Sequence, residues 1–237
     1  MDNLPQVSGE KILWNDLCPS AQALEIAEYA SHKDGVTLVV VPTSAEASRL
    51  KRSISFFLKD CEIDARIFPD WETLAYDVFS PHQDIISDRI QTLSELPQLE
   101  HGVLIVPLPS LLHRLPPTDY LASRLFDYAV DEILDRDKLN EQLVRASYHR
   151  VDTVYEHGEY AFRGSIIDIF PMGEDAPFRI DLLDSEIESL RIFDPETQRT
   201  ISNVERLRLL PAREFPLDKE GINRFLNNWH DYFESKA

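Results

Sequence analysis

The chain has little of what most catalytic or binding chemistries leave in a sequence. It carries two cysteines, Cys18 and Cys61, among 237 residues. They lie far apart and in no Cys-x-x-Cys or Cys/His cluster, which excludes a disulfide framework and a zinc ribbon and fits a reduced, cytoplasmic setting. Its seven glycines stand at 9, 35, 102, 158, 164, 173 and 221. No two are five apart and none precedes a lysine, so the backbone cradle and phosphate-reaching Lys of a P-loop are missing. No apolar run approaches the ~20 residues that span a bilayer, and the first residues are no basic-then-apolar leader, so neither export nor membrane insertion is expected. Cations are scarce too: 24 Lys and Arg against 42 Asp and Glu give a formal net charge of −18. Such a field repels a polyanion, and nucleic-acid binding by this chain alone is not expected.

What is present suffices for a core. Apolar residues make up 43% of the chain, and the length favours two compact units over one. In the first part, Val36-Thr-Leu-Val-Val-Val-Pro42 and Gly102-Val-Leu-Ile-Val-Pro107 read as strands buried on both faces. Between them lie a helix over 44–58 with a possible N-cap at Ser44, a short strand over 65–68 and a helix over 84–96. This alternation predicts a parallel α/β sheet with 36–41 and 103–106 as interior strands. The pair Pro116-Pro117 marks a boundary. Beyond it the style changes to one helix over 135–147 and short strands over 153–155, 159–170, 178–183, 187–193 and 206–210, the pattern of a mostly antiparallel α+β domain. A final helix over 218–233 carries an apolar stripe that needs a partner surface.

Few residues suggest chemistry. Asp131-Glu132 mimics the acid pair of a nucleotide hydrolase, but without a P-loop it reads as an acidic helix entry. His82 and His157 have no HxxxH or CxxC company and read as structural or surface histidines. Trp71 and Tyr76 form an aromatic loop without interleaved cations, so packing or an intramolecular interface is favoured over base stacking. Neither cofactor, metal nor catalytic residue is predicted.

Arginines in the acidic second half are more informative. Between residues 151 and 200 there are twelve Asp and Glu, four Arg and no Lys. In an extended strand Arg179, Asp181 and Leu183 share one face, while Phe178, Ile180 and Leu182 share the other. The second set reads as core. The first is either a protein-docking strip or a solvated face with one cross-strand ion pair, whose contribution would be only ~0–1 kcal/mol.

The runs Asp70-Trp-Glu-Thr-Leu-Ala-Tyr-Asp77, Phe79-Ser-Pro-His-Gln-Asp-Ile-Ile-Ser87, His157-Gly-Glu-Tyr-Ala-Phe-Arg-Gly164, Phe170-Pro-Met-Gly173 and Phe193-Asp-x-x-x-Gln-Arg-Thr200 resemble the N-terminal region of the bacterial transcription-repair coupling factors (Mfd). That region is itself similar to the excision-repair subunit UvrB. The resemblance implies a degenerate helicase-like parallel-sheet domain (1–117), an inserted α+β docking domain (118–211) and the start of a segment returning to the first domain (212–237). It further implies docking of the ATPase UvrA through Arg163, Arg179 and Leu183, with Asp181 between them placed to steer or buttress Arg179. At 183 better-known members have Phe, so an apolar contact is kept and ring area given up. The chain is expected to be a non-enzymatic N-terminal fragment. RNA polymerase and DNA would be engaged only by parts of the full-length family absent here, and an intramolecular contact with the translocase part is allowed. The alternatives are an active UvrB-like nucleotide-dependent enzyme and a regulatory clamp on the translocase.

Overall fold

A computed structural model describes residues 7–74, 77–217 and 219–232. In chain order the elements begin α1 (Pro19–His32), β1 (Gly35–Val41), α2 (Ser44–Phe57), β2 (Ala65–Ile67), α3 (Gln83–Glu95), β3 (His101–Pro107) and α4 (Leu108–Leu111). They continue α5 (Thr118–Ala122), β4 (Phe126–Ala129), α6 (Arg136–Arg145), β5 (His149–Arg150), β6 (Glu159–Arg163), β7 (Ile166–Ile169), β8 (Phe178–Leu183), β9 (Glu186–Phe193), β10 (Thr200–Val204), β11 (Arg206–Leu209) and α7 (Lys219–Tyr232). The chain divides into two compact units, one built on residues up to Asp70 plus Gln98–Arg114, the other on Trp71–Pro97 plus the residues from Leu115 on.

The first unit is a parallel sheet of order β1-β3-β2. Ala23, Ala27 and Ala30 form a small-residue stripe on α1, and with Ala47 and Ile54 of α2 they enclose a core against Val103 and Ile105 of β3. Alanines at helical spacing let the α1 backbone come close to its neighbours, so the layer is tight although few large side chains enter it. The N-cap of α2 is Thr43, one residue earlier than the sequence suggested; its hydroxyl accepts from the Glu46 amide at 3.2 Å. Another expectation is corrected. β3 is the interior strand, but among the described residues β1 is an edge, and Val36, Leu38 and Val40 are exposed. A continuous apolar run cannot distinguish a central strand from an outer one whose second face lacks a cover.

The second unit holds a six-stranded sheet, β10-β9-β8-β7-β6-β5, antiparallel except where β5 pairs parallel with β6, and a separate antiparallel pair of β4 with β11. The run 159–170, expected as one strand, is a hairpin. It folds at Gly164-Ser165, where Gly164 takes φ +60°, a conformation that favours glycine and suits a two-residue turn. No strand forms over 153–155. The helix expected from 135 does form, with the Asp135 carboxylate accepting from the amides of Asp137 and Lys138 at 3.0 and 3.1 Å. Asp131 and Glu132 are not its entry. They make the turn after β4, with Asp131 at φ +68° and the Glu132 carboxylate accepting from the Ala129 amide.

Although it connects two strands of the first sheet, α3 belongs to the second unit. Its Arg89, fully buried, donates through Nε and Nη2 to the Glu214 carboxylate at 2.5 and 3.2 Å and lies 4.3 Å over the Trp71 ring. Two residues earlier, Ser87 Oγ accepts from the Gly173 amide at 2.7 Å. Gly173 sits at φ +84°, and a Cβ there would press on Leu210 and Gln91, which explains the glycine of the Phe-Pro-Met-Gly turn. Nearby, the buried Tyr148 hydroxyl donates to the Leu210 carbonyl at 2.7 Å, and burial raises its pKa.

A buried ion pair that loses one partner leaves an uncompensated charge. Arg89→Ala and Glu214→Ala are therefore each expected to lower stability by roughly 3–5 kcal/mol, and joint replacement by Met and Leu to recover most of it. Urea unfolding followed by tryptophan fluorescence checks this; a loss under about 1 kcal/mol for either single change would contradict it.

Candidate docking surface

Side-chain alternation along β8 holds, with Phe178, Ile180 and Leu182 buried and Leu183 exposed. The buried set shares its face with Tyr160 and Phe162 of β6. There Tyr160 donates its hydroxyl to Asn140 of α6 at 3.1 Å, and the Arg136 guanidinium lies 5.4 Å from the Phe162 ring centre. The opposite face starts, at one end, with a small core of Val154, Ala161, Phe170 and Phe193. It becomes a polar strip towards the Gly164-Ser165 turn.

Where core gives way to strip stands Asp168, 0% exposed and opposite Arg179 in the β7–β8 register. Arg179 presents the side of its guanidinium to it: Nε donates to Oδ1 at 2.7 Å and Nη2 to Oδ2 at 3.0 Å. Arg163 Nη2 donates to the same Oδ2. A carboxylate without water needs such partners, since an ionised group left alone in the interior is strongly disfavoured. Arg179 also lies 4.5 Å over the Phe193 ring, and its Nη1 donates to the Gln198 carbonyl at 3.4 Å. The turn at 194–199 is braced by Asp194, whose carboxylate accepts from the Thr197 amide at 2.6 Å and hydroxyl at 2.9 Å. Those bonds, the amide's first, hold the Asp194 carboxyl below the ordinary carboxylate range. Two motifs separate in sequence, Arg-Gly-x-x-x-Asp and Phe-Asp-x-x-x-Gln, thus meet at one guanidinium.

Beside this cluster lies a second pair. Arg191 on β9 is directly opposite Arg179, a like-charge juxtaposition that would be unfavourable if both cations were bare. It is relieved because Arg191 donates diagonally to Asp181, which also accepts from Ser189 Oγ at 3.1 Å. Asp181 therefore braces Arg191, and the carboxylate that holds Arg179 is Asp168. A bulge between Asp181 and Leu182 shifts the register near the strand end.

Exposure sorts the four sequence-selected residues. The Arg179 side chain is only 14% exposed, that of Arg163 45%, and Leu183 is 63% exposed. Asp181 is half-buried in its pair. The accessible groups are therefore Arg163 and Leu183, both at the hairpin-turn end of the sheet, where the Leu182 amide donates to the Ser165 carbonyl at 3.0 Å. Sequence reasoning missed Asp168, Arg191, Phe193 and Gln198. Reading Gly164 as a two-residue hairpin turn would have placed Asp168 on the Arg163 face; nothing local signals the register that brings Arg179 opposite it.

The other candidates are structural. His82 Nδ1 accepts from the Asp84 amide and caps α3. His157 stacks on Phe170 with ring centres 4.0 Å apart, its Nδ1 is 2.9 Å from Asp84 Oδ1 and its Nε2 is 2.8 Å from the Glu174 carbonyl. Both histidines thus have company in Asp84, in a cavity of about 470 Å³ that Glu156, Glu174 and Asp175 also line. Burial, then the neighbouring Asp175, raises the Glu174 pKa. Among the described residues no group of His, Cys, Asp or Glu is arranged to hold a metal ion. Trp71 packs under Arg89, and Tyr76 lies outside the described residues.

The sequence profile of the UvrB interaction domain matches residues 126–215, which include the six-stranded sheet. The chain is 46% identical over 233 residues to the transcription-repair-coupling factor of Escherichia coli (strain K12), covering 98% of this chain and 20% of that protein. The corresponding factor of Haemophilus influenzae is 43% identical over 228 residues (96% and 20%), and that of Staphylococcus aureus (strain USA300) 34% over 235 residues (98% and 20%). The chain spans about a fifth of the length of these relatives. Nearly every residue aligns to such factors and the UvrB interaction domain falls on the arginine-bearing sheet, so the chain is similar to an N-terminal region of the transcription-repair-coupling factors.

Proposed function

We propose that this chain is a non-enzymatic recruitment module that docks UvrA in transcription-coupled nucleotide excision repair, acting in the cytoplasm. The observation that carries the proposal is the polar strip: arginines fixed on buried or half-buried carboxylates, beside the exposed Leu183, on the sheet that matches the UvrB interaction domain. Such a surface combines a pre-ordered guanidinium with an adjacent apolar contact, the composition of a protein-binding hot spot. The docking domain in this reading is 118–211, between a degenerate UvrB-like domain (1–117) and a returning segment that starts at 212. RNA polymerase and DNA are engaged by other regions of a longer factor. The absence of a P-loop in the sequence supports a module that does not use ATP.

The chain is expected to bind UvrA in a calorimetric titration, and Arg163→Glu, which also takes one cation from the buried Asp168 and so lowers the melting temperature, to weaken that binding by roughly 30- to 1000-fold, as for an interface anchor, when measured well below its melting transition. Arg49→Glu, on the exposed face of α2, is the control and is expected to bind as the parent does. Near-parental affinity for Arg163→Glu would contradict the docking role.

Leu183→Phe is expected to tighten UvrA binding by about 1 kcal/mol, or roughly fivefold, because a larger apolar side chain at an exposed contact buries more area. Unchanged or weaker binding would show that the partner offers no pocket there. In the same calorimeter, ATP with magnesium is expected to give no binding heat up to millimolar concentration; micromolar affinity would favour the enzymatic alternative.

A further inference from the structure

The contacts around Asp168 suggest a division of labour that the four sequence-selected residues do not reveal. Asp168 has two oxygens and one negative charge. Oδ1 accepts Arg179 Nε, while Oδ2 accepts both Arg179 Nη2 and Arg163 Nη2. Two guanidiniums thus share one carboxylate, and the neighbouring Arg191–Asp181 pair is neutral within itself. The exposed Glu186 lies farther along, opposite Leu183. Among the five side chains Arg163, Arg179, Arg191, Asp168 and Asp181, one positive charge is left over. It is not at Arg179, whose guanidinium is held side-on by Asp168, covered by Phe193 and reached by the Gln198 carbonyl. It falls at Arg163, whose side chain is the most exposed of the three.

We propose that Asp168 is the positioning residue of the docking surface: it tethers one edge of Arg163 from beneath and thereby aims the remaining donors at a carboxylate side chain of the partner. The inference rests on the docking reading above and adds to it the chemistry of the partner. In a chain of net charge −18, an approaching acidic segment is repelled almost everywhere, so a single fixed guanidinium contributes orientation as well as attraction. A tethered arginine also loses less side-chain entropy on binding than a free one. Arg179 has a different part: it neutralises Asp168 and fills the space over Phe193, so its removal acts through the fold first. Arg163 is the contact and Asp168 acts through it.

The test is UvrA affinity of the parent, Arg163→Gln, Asp168→Asn and the double variant, measured at low and high salt well below each melting transition. A carboxylate partner predicts that parental affinity falls about 10-fold or more between about 0.05 and 0.5 M salt, and that Arg163→Gln flattens the dependence to under about threefold. Positioning predicts that Asp168→Asn weakens binding about 10-fold or more in the parent yet under about threefold in the Arg163→Gln background, since residues acting through one another are not additive. Equal salt dependence of parent and Arg163→Gln would overturn the partner chemistry, and this arm needs no change at a buried site. Losses that multiply independently in the double variant would overturn the positioning role. If the parent itself failed to bind UvrA, the docking reading would fall and this inference with it, an outcome distinct from a parent that binds with the same salt dependence as Arg163→Gln.

Discussion

A carboxylate with no access to water constrains everything around it. Asp168, at 0% exposure, would be strongly disfavoured as an ion without partners, and the cost is offset only because two arginines reach it. Each comes from a different neighbouring strand, so the Arg163–Asp168–Arg179 cluster fixes the registers of β6, β7 and β8 together. A one-residue slip at either pairing would carry an arginine to the opposite face, among Tyr160, Ile167 and Ile180, and leave the carboxylate bare. The same guanidinium that satisfies Asp168 also brings in the 194–199 turn. Folding of the sheet and display of Arg163 are thus one event.

The elements were largely legible in the sequence because they are local. Helical spacing of apolar residues marked α2, α3, α6 and α7, and apolar runs marked β1 and β3, within a residue or two of the observed bounds. What failed was what depends on distant partners. The four-residue strand at Phe126–Ala129 is a strand only because residues 206–209 pair with it, and its own sequence carries no alternation long enough to announce it. The β10 strand, at Thr200–Val204, is polar and exposed, and exists by pairing with β9. Asp131 precedes a helix by several residues and resembles an entry, yet Asp135 is the acid that the first helical amides can reach.

The site was half legible for the same reason. Parity along β8 separates Arg179, Asp181 and Leu183 from the core face without any knowledge of the sheet. It gives no information about which carboxylate each arginine meets, because that is set by pairing across β7 and β9. Hence Asp181 suggested itself as the neighbour of Arg179, whereas the structure gives Asp181 to Arg191 and Asp168 to Arg179. Sequence distance misleads in strands, where residues two apart on one chain are no closer than residues facing each other on two.

Hydrogen exchange of this chain with and without UvrA tests the central claim most directly, because it locates a footprint without altering any side chain. The account predicts slowed exchange at the Gly164-Ser165 and Asp184-Ser185 turns and their flanking residues 163–166 and 181–186, with residues 35–60 unchanged. Protection confined to residues 35–60, or an absence of protection at both turns when UvrA is saturating, would contradict docking through the arginine strip.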